Sequence, residues 1–317
     1  MSARPGSHPG PGSPVEVHAG HGPGVGAGHL GRCLALAEAF LDRGVPVHLV
    51  DDGHEIPGSW ADRYRAAGAT VGAPKDAGAV GLIVIDDYAV NPASVAARRE
   101  RAPLLLVDDH GSTGAFDADW ILDQNVGARA APYDGRATSG LLLGPGYALV
   151  RRDVAGAIRS PRPDRTVQPA RLLVATGGDP SAELATAVDA ATVAISQAHP
   201  DLEVTLLRGV VEVGRLLADV DLAISAAGST CWDLCAHGIP AVVVAVAPNQ
   251  RPIAREIGLA GAAVDAGDLG PATAADLATA VEGLLGDPAR REAIAARASS
   301  LVDGRGAGRV VDVVTGA

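Results

Sequence analysis

Short apolar runs alternate with helix-period segments along the whole chain, and no other feature restricts the fold as much. Residues 80–86 and 104–108 are almost wholly apolar up to their closing acidic residues, the mark of strands covered on both faces of a parallel sheet. Further strand candidates in the first half are 15–19, 45–50, 69–72 and 120–122. Between the first two lies the segment 30–42. There Leu30, Leu34, Ala37 and Leu41 share one helical face, and Gly44 follows the end. Such alternation predicts an α/β fold with right-handed crossovers. The segment 159–169, rich in proline and charge, interrupts it. It resumes with strand candidates at 171–176, 203–207, 220–225, 241–246 and 262–264, and helical character over 274–301. The expected organisation is a disordered tail over 1–14, a Rossmann-like domain over 15–158 and a linker over 159–169. A second Rossmann-like domain over 170–300 and a closing segment over 301–317 complete it. Two open parallel sheets facing a cleft follow, with ligands outside the carboxyl ends of the strands.

A chain of 317 residues suffices for two such cores. The net charge of −11 argues against a nucleic-acid backbone or an anionic membrane surface as the main partner. Cys33, Cys231 and Cys235 are sparse and odd in number, so free thiols in a reducing compartment are expected. No apolar run is long enough to span a bilayer, and 1–14 lacks a hydrophobic signal core. A cytoplasmic location is therefore the expectation.

Five motifs sit at strand ends. The run Gly26-Ala27-Gly28-His29-Leu30-Gly31 joins the first strand to the first helix. Its glycines let backbone approach a ligand. They also match the glycine spacing of a dinucleotide fingerprint. His29 in the first turn can serve as a general base, since the helix dipole favours the neutral ring. It can equally be a plain exposed histidine at a helix start. At the end of the 80–86 strand stand Asp86, Asp87 and Tyr88. The tyrosine can bond a substrate hydroxyl, or the acid can merely cap the next helix. Asp108, Asp109 and His110 repeat that arrangement one strand later. In the second half, Gly177, Gly178, Asp179 and Pro180 open a strand–helix turn, with Asp179 suited to capping and Pro180 to the first helical position. Ser229 and Thr230 offer hydroxyl and amide groups at a helix start, a natural phosphate seat. Asp233, a turn further on, can accept from a ribose diol or close a capping box with Thr230. Asn249 and Gln250 follow the 241–246 strand. No spacing fits a metal, and no nucleophile-elbow serine or P-loop lysine is present.

These motifs, in this order, resemble one family, the UDP-sugar hydrolases of pseudaminic acid biosynthesis, grouped with spore-coat polysaccharide proteins and related to MurG-like glycosyltransferases of the GT-B fold. The resemblance rests on the runs at 26–34, 86–88, 123–125, 143–151, 176–180, 228–235 and 249–250. It displaces the dinucleotide reading. It implies a GT-B-like pair of domains, His29 as catalytic base, and Tyr88 and Asn249 as active-site residues. Substrate contacts are implied at Gly26, Gly28, Asp86, Gly177, Gly178, Asp179, Ser229, Thr230, Asp233 and Gln250. The implied reaction cleaves the anomeric C–O bond of a UDP-sugar, with no metal and no cofactor. His18, Gly20 and Gly22 stand where the family carries an Arg-x-Asp-x-Ser run, and Asp233 stands where it carries glutamate. A different sugar, or an organic acceptor in place of water, is consistent with those departures. A glycosyltransferase is therefore the alternative reading, and a non-catalytic nucleotide-sugar binder the third.

Overall fold

The computed structural model describes residues 12–22, 27–51, 56–74, 80–111, 117–160, 162–177, 181–207 and 213–317. The chain divides into two compact units, the first made of 1–152 with 305–317, the second of 153–304.

The first unit runs β1 (Val15–Ala19), α1 (Gly28–Leu41), β2 (Val47–Val50), α2 (Gly58–Ala67), β3 (Thr70–Gly72), β4 (Leu82–Asp86), α3 (Pro92–Arg101), β5 (Leu104–Val107), β6 (Ala118–Asp123) and β7 (Ala137–Leu143). The strands form one sheet in the order β3-β2-β1-β4-β5-β6-β7. Every pairing is parallel. Continuous apolar strands explain this, since helices cover both faces. Val17, Leu49, Val84 and Leu105 pack with Leu36 and Phe40 of α1, while Ile83, Ile85, Leu104 and Leu106 pack against Val95 of α3. Sequence order reverses between β1 and β4. Such a switch point opens a crevice at the carboxyl ends of the two strands.

The second unit runs α4 (Arg152–Gly156), β8 (Arg171–Ala175), α5 (Ala182–Ala198), β9 (Glu203–Leu206), α6 (Val213–Leu217), β10 (Leu222–Ala226), α7 (Thr230–His237), β11 (Ala241–Ala245), α8 (Arg251–Leu259), β12 (Val264–Asp268), α9 (Thr273–Leu285) and α10 (Pro288–Leu301). Its sheet, β12-β11-β10-β8-β9, is parallel throughout. Its switch point lies between β8 and β10. Finally α11 (Gly306–Thr315) returns to the first unit, where Val310, Val311 and Val314 join the core beside α1.

Three expectations need correction. The 159–169 segment is no free linker, because it is strapped to the second unit. Arg165 is buried there and donates to the carbonyls of Gly238 (3.1 Å) and Val220 (2.8 Å). Arg291, also buried, donates to the carbonyls of Arg165, Thr166 and Val167. The 301–317 segment is not separate, since α11 completes the first core. Finally, α5 is capped by Ser181, which accepts from the Leu184 amide at 3.2 Å, and not by Asp179. Strand β7 escapes the apolar-run reading because its residues are mostly half-buried or exposed.

Candidate active site

The carboxyl ends of the strands beside the β1/β4 switch point carry a buried polar network. Helix α1 begins at Gly28, two residues earlier than the periodicity predicts, which places His29 in its first turn. Its cap, Ala27, supplies no side-chain hydrogen bond. The His29 ring is mostly buried, and Nδ1 lies 2.6 Å from Asp86 Oδ1 at the end of β4. Asp86 is fully buried. An ionised carboxylate there accepts the Nδ1 proton, which leaves Nε2 as the basic nitrogen. Nε2 makes no hydrogen bond among the described residues.

Asp86 is held ionised by Arg32, one turn after His29 on α1. Arg32 donates from Nε to Asp86 Oδ2 (2.5 Å) and from an Nη to Oδ1 (2.6 Å). Burial opposes the charge on Asp86, but the Arg32 and His29 side chains outweigh it, and the carboxyl stays well below its usual range. The other Nη of Arg32 donates to both oxygens of Asp109, at 2.9 and 3.2 Å, so that carboxyl also titrates low despite its burial.

Tyr88 extends the network outward. Its ring meets the His29 ring edge-on, centroids 4.6 Å apart, and its hydroxyl donates to Asp109. At 39 % exposure it is accessible to a ligand while staying tied to the cluster. Burial, with Asp109 nearby, pushes its phenol well above the ordinary value. Below Asp109, the Asn125 amide donates to Asp109 (2.6 Å) and to Asp123 (2.8 Å). Asp123 also accepts from the Tyr133 hydroxyl (3.0 Å) and the His110 amide (3.1 Å). His110 takes a left-handed φ of 57° in this turn.

The structure thus brings together His29, Asp86 and Tyr88, with Gly28 in the same helical turn. Gly26 lies outside the described residues. Arg32, Asp109 and Asn125 were not singled out from sequence as site residues. The signal lay in the motifs themselves: an arginine three residues after the histidine, and paired acids ending two adjacent strands.

The second unit gathers its own polar residues at its switch point. Gly177 follows β8 with a φ of +91°, a conformation that side chains rarely adopt. Ser229 caps α7 in a helical conformation with no side-chain cap hydrogen bond of its own. Thr230 begins the helix, and Asp233 lies in its first turn. Asn249 and Gln250 end a 3₁₀ turn after β11. Gln250 folds back to accept from the Val246 amide at 3.1 Å. Its amide nitrogen lies over Gly228, where a side-chain carbon would meet it at 3.7 Å. Gly178 and Asp179 lie outside the described residues. The three cysteines are free and buried. Among the described residues no group of three histidines, cysteines or acids could hold a metal ion, and no helix is long and apolar enough to cross a membrane.

No protein-family model matches the chain, and no curated protein matches it. Solved structures do. MurG of Acinetobacter baumannii has a TM-score of 0.64 at 15% identity, over 96% of this chain and 99% of its own. A kitacinnamycin glycotransferase has a TM-score of 0.66 at 18% identity, with the same coverages. MnaA of S. aureus, solved with UDP, has a TM-score of 0.66 at 10% identity over 95% of each chain. The chain therefore has a GT-B-like fold.

Proposed function

We propose that this protein is an enzyme of nucleotide sugars that transfers the glycosyl group to a hydroxyl acceptor, with His29 as general base. The observation that carries the reading is the 2.6 Å contact of His29 Nδ1 with the buried Asp86 carboxylate, with Nε2 left for a substrate. A pure binding module has no use for an imidazole held in one tautomer by a buried carboxylate. The acceptor hydroxyl gives its proton to Nε2 as its oxygen bonds to the anomeric carbon. The anomeric C–O bond to the diphosphate breaks, and its electron pair leaves with the nucleoside diphosphate. Asp86 stabilises the imidazolium that forms. A single displacement of this kind inverts the anomeric centre.

The second unit offers groups suited to the nucleotide. The α7 start at Ser229 and Thr230 suits a diphosphate, and Asp233 suits a ribose diol. Gly177, with Gly178 and Asp179 after it, fits a close backbone approach. Asn249 and Gln250, at the end of the next strand, complete that set. The kitacinnamycin glycotransferase and the UDP-bound MnaA, which share the fold, support this class of substrate. A UDP-sugar is the donor we favour.

Hydrolysis, with water as the acceptor, is the second reading, and the resemblance of the run at 26–34 to the UDP-sugar hydrolases favours it. One experiment separates the two. A panel of nucleotide sugars is offered with and without hydroxyl acceptors in ¹⁸O-labelled water. Release of nucleoside diphosphate that needs the acceptor and yields a conjugate of inverted configuration supports transfer. Acceptor-independent release with label in the free sugar supports hydrolysis. No release from any donor refutes both.

A further inference from the structure

Arg32 does not touch His29 Nε2, although one Nη lies 3.3 Å from the ring's Nδ1, and it is buried at the centre of the network. Its guanidinium is shared by two buried carboxylates, Asp86 and Asp109. Asp86 receives the His29 ring proton, and Asp109 receives the Tyr88 hydroxyl. The three charges sum to −1, and with the imidazolium of a protonated His29 the four sum to zero. Buried charges of this kind are weakly screened, so the sum is felt at the ring.

Three other titratable groups facing the cluster stay neutral and leave this sum unchanged. Cys33 of α1, 3.6 Å from Asp86 Oδ2, has its thiol pushed well up by burial and stays neutral. Tyr64 of α2 donates to the Leu30 carbonyl and is also kept neutral by burial. Tyr88 stays protonated for the same reason. Asp123 of β6 lies beyond Asn125, which shares its amide between Asp123 and Asp109. Burial, with the Asp109 charge nearby, pushes the Asp123 carboxyl up, and His110 Nδ1 stands 3.8 Å from it. This acid adds its own charge at the edge of the cluster in both states of His29.

We infer that Arg32 is a positioning residue that sets the proton affinity of His29 through Asp86 and holds the Tyr88 hydroxyl in place through Asp109. This rests on the reading of His29 as the base. One guanidinium then governs both candidate catalytic side chains. Its fork geometry is required as well as its charge, because Asp86 is bound at two nitrogens and Asp109 at a third.

The test uses two variants of the full chain, Arg32→Met and Asp109→Asn, and two readouts. One is the pH profile of turnover, and the other is the ¹⁵N NMR titration of the His29 ring. Removing the cation makes His29 hold its proton more tightly. Arg32→Met should therefore move the acid limb and the ring titration to higher pH, by about one unit or more, a tenfold change in proton affinity. Removing a carboxylate does the reverse, so Asp109→Asn should move both to lower pH and leave the Nδ1–H tautomer in place. A merely structural role predicts no opposite movements. Ring titrations unmoved in the variants, or moved in the same direction, overturn the proposal. If Arg32→Met does not fold, an unmoved titration in Asp109→Asn overturns it alone. The ring titration needs no turnover. Opposite shifts without release from any nucleotide sugar would uphold Arg32 and sink the glycosyl-transfer reading. Turnover that depends on His29 with unmoved titrations would do the opposite.

Discussion

Asp86 Oδ1 lies 2.6 Å from His29 Nδ1 across 57 residues of sequence, and the pair joins the end of β4 to the first turn of α1. If His29 is the base, Asp86→Asn offers the ring an amide and weakens its hold on the Nδ1–H tautomer. Turnover should fall by roughly 10²- to 10⁴-fold, and His29→Ala should fall at least as far. Nucleotide affinity, measured by calorimetry, should change little in His29→Ala. A His29→Ala variant as active as the parent would exclude the assignment.

The same pair makes the fold acid-sensitive. Asp86 and Asp109 titrate lower in the folded chain than in the unfolded one. Their contribution is fully present above the unfolded value, about 3.9, and is lost as pH falls through that value towards the folded one. Urea unfolding midpoints should drop steeply as pH falls below about 5. Breaking a buried pair by removing one partner costs about 3–5 kcal/mol, so Arg32→Met should lower the neutral-pH midpoint markedly. A midpoint indifferent to acid would contradict the ionised state of both carboxylates.

Tyr88→Phe deletes the hydroxyl bond to Asp109, which keeps Arg32 and Asn125 as donors. The stability cost should be about 1 kcal/mol. Because the phenol is pushed well up, the parent protein should show no tyrosinate from this residue up to about pH 10. Absorbance difference spectra of parent and variant check this. A tyrosinate signal near neutral pH that the variant lacks would be inconsistent with the Asp109 contact.

Gly214 packs against backbone so closely that a methyl group there would lie 2.0 Å from the Asp153 carbonyl oxygen. Gly214→Ala should destabilise the second unit by about 3 kcal/mol or more. Gly146, with nothing within 4 Å of the corresponding position, is the control, and Gly146→Ala should be nearly neutral. Thermal unfolding of the two variants decides. Equal effects would mean that the contact at Gly214 is not native.

Most of the parallel architecture was legible because strands buried on both faces advertise themselves as apolar runs. Strand β7 did not, because Thr138 and Ser139 leave one stretch exposed. Nor did α11, whose Gly306 and Gly308 dilute its helical period before Val310, Val311 and Val314 bury themselves. At the site, His29, Asp86 and Tyr88 could be named because strand ends collect chemistry. Arg32 could not be assigned, since an arginine on an apolar helix face has meaning only once its two acids are known to converge on it. Sequence spacing does not carry that convergence, because Asp109 stands 77 residues away.

Because α11 belongs to the first unit while 153–304 form the second, the first core is built from two stretches of chain, with the residues of the second unit inserted between them in sequence. On the ribosome, β1 to β7 emerge first, yet they wait for Val310, Val311 and Val314 to close the hydrophobic face of α1. Gly306, where a methyl group would lie 2.2 Å from the Ala148 carbonyl oxygen, fastens that closure to the end of the first segment. The part of the protein made earliest is therefore finished last, and the second unit has the chance to fold while its host is still open. A short truncation at the carboxyl terminus would thus damage the unit that carries His29, at the opposite end of the sequence.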